Sequence, residues 1–168
     1  ALEYAVEELQ ADHTVVFTAL ERDCRALRYA AKKVRADRAL ILSVVRRDGL
    51  ALQYATPELQ ADREVVMLAL ENNWRSFEFA SDDLKADRET VLFAVCQSGL
   101  AFGFADAELR SEQSFVTEVI QRSGMALKYA SEKLQSNPDL VLAAVKENGA
   151  AFAWGSSELT QDKDVKAE

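Results

Sequence analysis

The segment Ala-Leu-x-Tyr-Ala returns along this chain at one fixed interval, and nothing else in it constrains the fold as tightly. It reads Ala1-Leu2-Glu3-Tyr4-Ala5, then Ala26-Leu27-Arg28-Tyr29-Ala30, then Ala51-Leu52-Gln53-Tyr54-Ala55, each copy starting 25 residues after the last. Looser copies run from Ser76 to Ala80, Ala101 to Ala105, Ala126 to Ala130 and Ala151 to Gly155, with no insertion or deletion between them. A period of this size marks a repeat architecture, in which each unit buries its apolar face only against its neighbours.

One repeat can be read from its caps. Asp62 precedes Arg63-Glu64-Val65-Val66-Met67-Leu68-Ala69-Leu70, and its carboxylate is placed to accept from the free amides of a first helical turn. Asp12, Asp37, Asp87 and Asp162 hold the same place, while Glu112 and Asn137 replace them in two copies. Val65, Val66, Ala69 and Leu70 fall on one helical face. Gly49, Gly99, Gly124 and Gly149 follow the helix, and a left-handed C-cap is the expectation there. A second helix then carries the Ala-Leu-x-Tyr-Ala segment. Thr56, Ser81, Asp106, Ser131 and Ser156 are placed to cap one further turn, which Leu9, Val34, Leu59, Leu84, Leu109, Leu134 and Leu159 close onto the core. No stretch alternates with period two, so almost no strand is expected. The predicted fold is all-α: an α-solenoid of about six to seven two-helix repeats, one domain over residues 1–160, with residues 161–168 the fraying start of a further helix or a tail.

Composition narrows the partners. Twenty basic and 28 acidic residues leave a formal charge of −8, which argues against nucleic acid and against an anionic lipid surface. The longest mostly apolar run, Ala39 to Val45, is far short of the roughly 18 residues a bilayer span needs. Cys24 and Cys96 lie almost three repeats apart, roughly 30 Å at one helix-packing distance per repeat. Two free thiols follow, and they favour a reducing compartment. Ala1 opens inside a repeat, so a mature portion of a longer product is the expectation, and the compartment itself is not legible.

The pattern Asp-Arg-Glu-x-Val-Leu-x-Ala-Val, followed by Asn-Gly-x-Ala-Leu-x-Tyr-Ala-Ser, resembles the repeat family catalogued as domain of unknown function 4116. Asp87 to Val95, Val141 to Gly149 and Ala126 to Ser131 carry the likeness. The resemblance implies a helical array without catalytic motif or cofactor, in a family abundant in dinoflagellates and other protist algae and present in some intracellular bacteria. For a photosynthetic protist it implies a peripheral photosystem–antenna subunit, and with it a plastid.

The departures from the repeat are the candidate contacts. Trp74 and Cys24 stand in the glycine place. Either those two turns close without a left-handed residue, or Trp74 projects as a partner anchor, since Trp is enriched at binding hot spots. Cys24 is a poor nucleophile, with His13 the only histidine and no sign of a lowered thiol pKa. Phe93 is large and apolar where Thr18, Ser43 and Ala143 stand elsewhere, and it extends the candidate contact surface. Tyr4, Tyr29, Tyr54, Phe79, Phe104, Tyr129 and Trp154 form an aromatic stripe, expected in the core with its hydroxyls at the rim rather than as a stacking platform. Thr117 and Glu118 replace mostly apolar residues, which predicts a more solvent-facing fifth repeat. Arg38, Arg63 and Arg88 make a basic row offset by Asp37, Asp62 and Asp87, expected as a solvated face. No metal cluster, phosphate loop or catalytic carboxylate pair stands out. The functional expectation is a non-enzymatic scaffold for a protein partner, an accessory or linker subunit. A repeat-type RNA binder and a non-enzymatic module of a bacterial effector remain the alternatives.

Overall fold

A computed structural model describes residues 2–154, and every regular element among them is helical. Ser156, Leu159, Asp162 and the expected tail at 161–168 lie outside the described residues. The order long α-helix, 3-10 helix, short α-helix recurs throughout, so the fold is all-α, of the helical-repeat solenoid class. The expected second helix is in fact two elements. A six-residue 3-10 helix holds the Ala-Leu-x-Tyr segment, and a four- or five-residue α-helix follows it.

The long helices each span ten residues: His13–Arg22, Arg38–Arg47, Arg63–Asn72, Arg88–Gln97, Gln113–Arg122 and Pro138–Glu147. Their starts follow the predicted chemistry. The side chains of Asp12, Asp37, Asp62, Asp87 and Asn137 accept from first-turn amides, for example Asp37 Oδ1 from Ala39 N at 3.0 Å. Glu112 is one methylene too long for this and caps nothing; it receives the Ser114 hydroxyl at 2.6 Å instead. In Arg63–Asn72 the predicted face of Val65, Val66, Ala69 and Leu70 is buried.

The glycines are not left-handed: among the described residues none has positive φ. Most long helices end on a residue whose side chain also caps the 3-10 helix after it, Ser123 being the exception. Asp48, at φ −145°, accepts from Leu50 N at 3.0 Å, and Asn73 accepts from Arg75 N at 3.0 Å. Glycine is needed for room. A Cβ on Gly49 would stand 2.3 Å from the Ala69 carbonyl oxygen, and one on Gly124 would stand 2.3 Å from that of Ala144. The 3-10 helix repeats every three residues, so Gly49 and Leu52 are buried on one side of it, with Ala55 buried just beyond.

The chain divides into two compact units, Ala1–Leu84 and Lys85–Glu168. In the first, Arg38–Arg47 packs on Arg63–Asn72 and Gly49–Tyr54 on Trp74–Phe79. Leu27, Leu52 and Phe77 are fully buried there. In the second, Gln113–Arg122 packs on Pro138–Glu147 and Gly99–Phe104 on Gly124–Tyr129, around Phe102, Phe115 and Leu127. The Phe102 and Phe115 rings lie 6.3 Å apart at 53°. Each such side chain contributes about 1.5–3 kcal/mol through burial.

Neighbouring repeats are also joined through backbone. The amide that opens one short helix donates to the carbonyl that closes the short helix before it: Ala31 N to Gln10 O at 2.9 Å, Thr56 N to Arg35 O at 3.3 Å, and Ser81 N to Gln60 O at 2.9 Å. In the second unit Asp106 N donates to Lys85 O and Ser131 N to Arg110 O. This joint replaces part of the expected side-chain capping. Asp106 does cap, accepting from Glu108 N at 2.7 Å, but Thr56 and Ser131 make no side-chain cap.

Candidate functional site on the 3-10 helices

The aromatic stripe is half-buried, partway between the core expected for it and the surface. Tyr29, Tyr54, Phe79, Phe104, Tyr129 and Trp154 are half-buried, and Tyr4 is 86% exposed. The core ring sits two residues earlier, as Phe77 and Phe102. The reason is the three-residue turn: burying the second residue of each copy turns the fourth outward. Tyr129 instead lies over Gly103, where a Cβ would meet its ring at 2.8 Å.

Cations stack on these outer rings. The Arg28 guanidinium lies 5.7 Å from the centre of the Tyr29 ring, and the Lys128 ammonium 5.3 Å from that of Tyr129. Trp74, half-buried at the start of Trp74–Phe79, has Arg75 4.6 Å over it. Such pairs contribute about 0.5–1 kcal/mol each at exposed sites, a modest bias on ring orientation. In the first unit Tyr29 and Tyr54 line an open groove of about 490 Å³ with Arg22, Arg25, Arg28 and Asp23. Asp23 Oδ1 accepts from Arg25 N at 2.9 Å and Arg25 Nε at 3.1 Å, and those Arg25 bonds hold its carboxyl below the usual range.

A Gln or Arg at the end of most short helices, Gln10, Arg35, Gln60, Arg110 and Gln135, holds the 3-10 helices in place, a role sequence reasoning missed. Gln10 Nε2 donates to Ala5 O at 3.1 Å, and Gln60 Nε2 to Leu52 O at 3.1 Å. Arg35 spans two repeats, from Ala30 O at 3.1 Å to Tyr54 O at 3.2 Å, and Arg110 does the same between Ala105 O and Tyr129 O. The signal was present, as a Gln or Arg standing at one fixed place in most copies.

The other singled-out residues are placed as follows. Phe93 is half-buried on Arg88–Gln97 in the second unit, whereas Trp74 belongs to the first. Thr117 and Glu118 are half-buried and satisfied locally, Thr117 by Gln113 O at 2.8 Å and Glu118 by Arg122 at 3.1 Å. Their repeat is not the more open one, since Phe115, Val116, Val119 and Ile120 beneath them are fully buried. The basic row is ion-paired between repeats rather than simply solvated. Arg38 Nε meets Asp62 at 2.7 Å and its Nη2 meets Glu64 at 2.5 Å, and Arg88 pairs with Glu112 while lying 4.9 Å over the Phe115 ring. Both cysteines are free; Cys24 is buried, which pushes its thiol up and away from nucleophilic use, and Cys96 is exposed. Among the described residues no helix is long and apolar enough to cross a membrane.

Four overlapping stretches, residues 37–85, 62–110, 87–135 and 113–160, match the family described as Domain of unknown function (DUF4116). Together they cover most of the chain, and the chain belongs to that family. No curated protein and no solved structure matches it.

Proposed function

We propose that this chain is a non-catalytic scaffold for protein–protein contact, an accessory or linker subunit held to a larger assembly. The observation that carries the reading is the pairing of half-buried rings with neighbouring cations in each unit: Tyr29 with Arg28 and Trp74 with Arg75 in the first, Tyr129 with Lys128 in the second. Tyr, Trp and Arg are the residues that most often dominate binding energy at interfaces, and rings already held in place lose little entropy on docking. Trp74 and Phe93 are the proposed anchors. In its finer form the assembly is a photosystem–antenna complex in a photosynthetic protist; the support there is the distribution of the family it resembles.

Gentle detergent extraction from the native source, followed by size fractionation and mass spectrometry, tests the reading. The expected result is stable migration with a large complex, in pigment-bearing fractions if the finer form holds. Migration as a free small protein overturns the accessory-subunit reading. Trp74→Ala is expected to weaken partner binding while circular dichroism stays unchanged; unaltered affinity removes Trp74 from the interface.

A further inference from the structure

One stretch of this acidic chain is strongly basic. Residues 22–47 hold nine of the 20 Lys and Arg and two of the 28 Asp and Glu, so the stretch is +7 in a chain of −8. An asymmetry of this size marks a place where a charged partner can be met. Some of these cations serve the stack. Arg35 and Arg38 make the joints described above, and Arg47 donates to Leu20 O at 3.2 Å and Glu21 O at 2.9 Å. Four others do not: Arg28, Lys32, Lys33 and Arg46 are exposed and make no ion pair or side-chain hydrogen bond among the described residues.

Acids hold these four places in other copies of the repeat. Arg28 aligns with Glu3 and Glu78, Lys32 with Glu7 and Asp82, Lys33 with Glu8 and Glu58, and Arg46 with Glu21 and Glu71. The fold accepts either sign there, so folding does not require the cations. Acids of the neighbouring repeats lie near two of them, Glu58 near Lys32 and Glu7 and Glu8 beside Lys33, without closing an ion pair. The basic stretch also has a shape to bind with. Arg25 and Arg28 line the open groove of about 490 Å³ with the rings of Tyr29 and Tyr54, and Lys32 and Lys33 begin the short helix that follows. Asp23 takes only the Nε group of the Arg25 side chain, which leaves both of its terminal nitrogens for a ligand. No later repeat puts two cations at the places of Arg25 and Arg28: they are Leu50 and Gln53 in the next and Arg75 and Glu78 in the one after.

We propose that this surface docks a short acidic segment of a partner protein, rich in Asp or Glu with an apolar side chain among its acids. The guanidinium groups of Arg25 and Arg28 take its carboxylates, Lys32 and Lys33 extend the positive field, and the Tyr29 and Tyr54 rings pack on its apolar side chain. The size of the basic stretch favours a short segment over an extended polyanion. Salt screens exposed charge beyond about 8 Å, about one helix-packing distance, and acids return on both sides, with Glu7 and Glu8 before it and Glu58, Glu64 and Glu71 after it. A nucleic-acid backbone or a lipid surface runs past one repeat and meets them. The proposal rests on the scaffold reading and names the chemistry of a partner for it.

The probe is a fluorescein-labelled oligoglutamate with one central phenylalanine, titrated against the full chain by anisotropy. Binding is expected to saturate at physiological ionic strength and to weaken as salt rises. Arg28→Glu combined with Lys33→Glu installs at exposed places the acids that other repeats carry there. The fold is therefore retained, which circular dichroism checks, and binding is expected to weaken about tenfold. Lys128→Glu combined with Lys133→Glu makes the same charge change at the same places of a later repeat and is expected to leave binding within about twofold. Absence of saturation overturns the proposal. An equal loss in the second pair also overturns it, by assigning the binding to net charge alone. Tighter binding of a single-stranded oligonucleotide of equal charge overturns it in favour of nucleic acid. A dimer in sedimentation that Arg28→Glu with Lys33→Glu dissolves overturns it by giving the surface to a second copy. Migration as a free small protein with oligoglutamate binding intact removes the accessory-subunit reading alone, and stable co-fractionation without oligoglutamate binding removes this surface alone.

Discussion

Gly49 and Gly149 hold the same place in their repeats and are expected to answer a methyl group differently. Gly49→Ala drives a Cβ onto the Ala69 carbonyl at 2.3 Å and is expected to cost about 1–3 kcal/mol. Gly149 has nothing within 4 Å of the same atom and no positive φ, so Gly149→Ala is expected to be neutral or to stabilise by up to about 1 kcal/mol. Urea midpoints of the two variants check this. Ser76 gives a third residue-level test. It is fully buried in the motif's alanine place, and its hydroxyl has no hydrogen-bond partner. Ser76→Ala is expected to stabilise by about 1 kcal/mol, the cost of one orphaned buried hydroxyl. Asp62 sets a pH dependence. The Arg38 guanidinium, as the largest cause, holds its carboxyl below the usual range. The stabilisation is therefore present above the unfolded carboxylate pKa of about 3.9 and is lost as pH falls through the lower folded value. Arg38→Met is expected to lower the urea midpoint at neutral pH, with the gap to the parent chain closing in acid. A constant gap at all pH values would contradict the assignment.

The short helices show which caps matter. Asp106 accepts an amide at 2.7 Å, whereas Ser131 in the same place makes no side-chain cap. Asp106→Ala is expected to cost about 1 kcal/mol and Ser131→Ala less than about 0.5 kcal/mol in thermal or urea melts. Phe102→Ala, which empties the centre of a 3-10 helix, is expected to cost about 3–5 kcal/mol. The long helices were legible because Val65, Val66, Ala69 and Leu70 carry the helical period and Asp62 announces the start. The 3-10 helices were not. Glycine serves a sequence in two ways, by allowing positive φ and by lacking Cβ, and Gly49 looks the same under either. The three-residue spacing of Gly49, Leu52 and Ala55, repeated in Gly99, Phe102 and Ala105, was the available signal. Missing it sent the aromatic stripe inward, although the exchange of Leu52 for Phe77 and Phe102 marks the truly buried place.

Across the whole molecule, burial is uneven in a way that hydrogen exchange can read. Gln113–Arg122 has Phe115, Val116, Val119 and Ile120 fully buried, whereas His13–Arg22 buries Val16 and Leu20. Amides of the former are expected to exchange slowest and those of the latter fastest, since local opening follows buried contact. Uniform protection would contradict a stack of near-neighbour units. The outward rings could be counted in the sequence but not oriented, because orientation depends on the turn geometry beneath them. The backbone joint was illegible for a different reason. Ala31 stands where Thr56, Ser81, Asp106 and Ser131 stand elsewhere and makes the same bond, because only an amide and a carbonyl take part. That indifference bears on heredity. An in-frame duplication or loss of one whole repeat brings the same amide and carbonyl back together whatever residues other than proline flank the break. Such a gene can lengthen or shorten by copying errors and still encode a chain that closes its joints, while substitutions at those positions accumulate without cost to the seam.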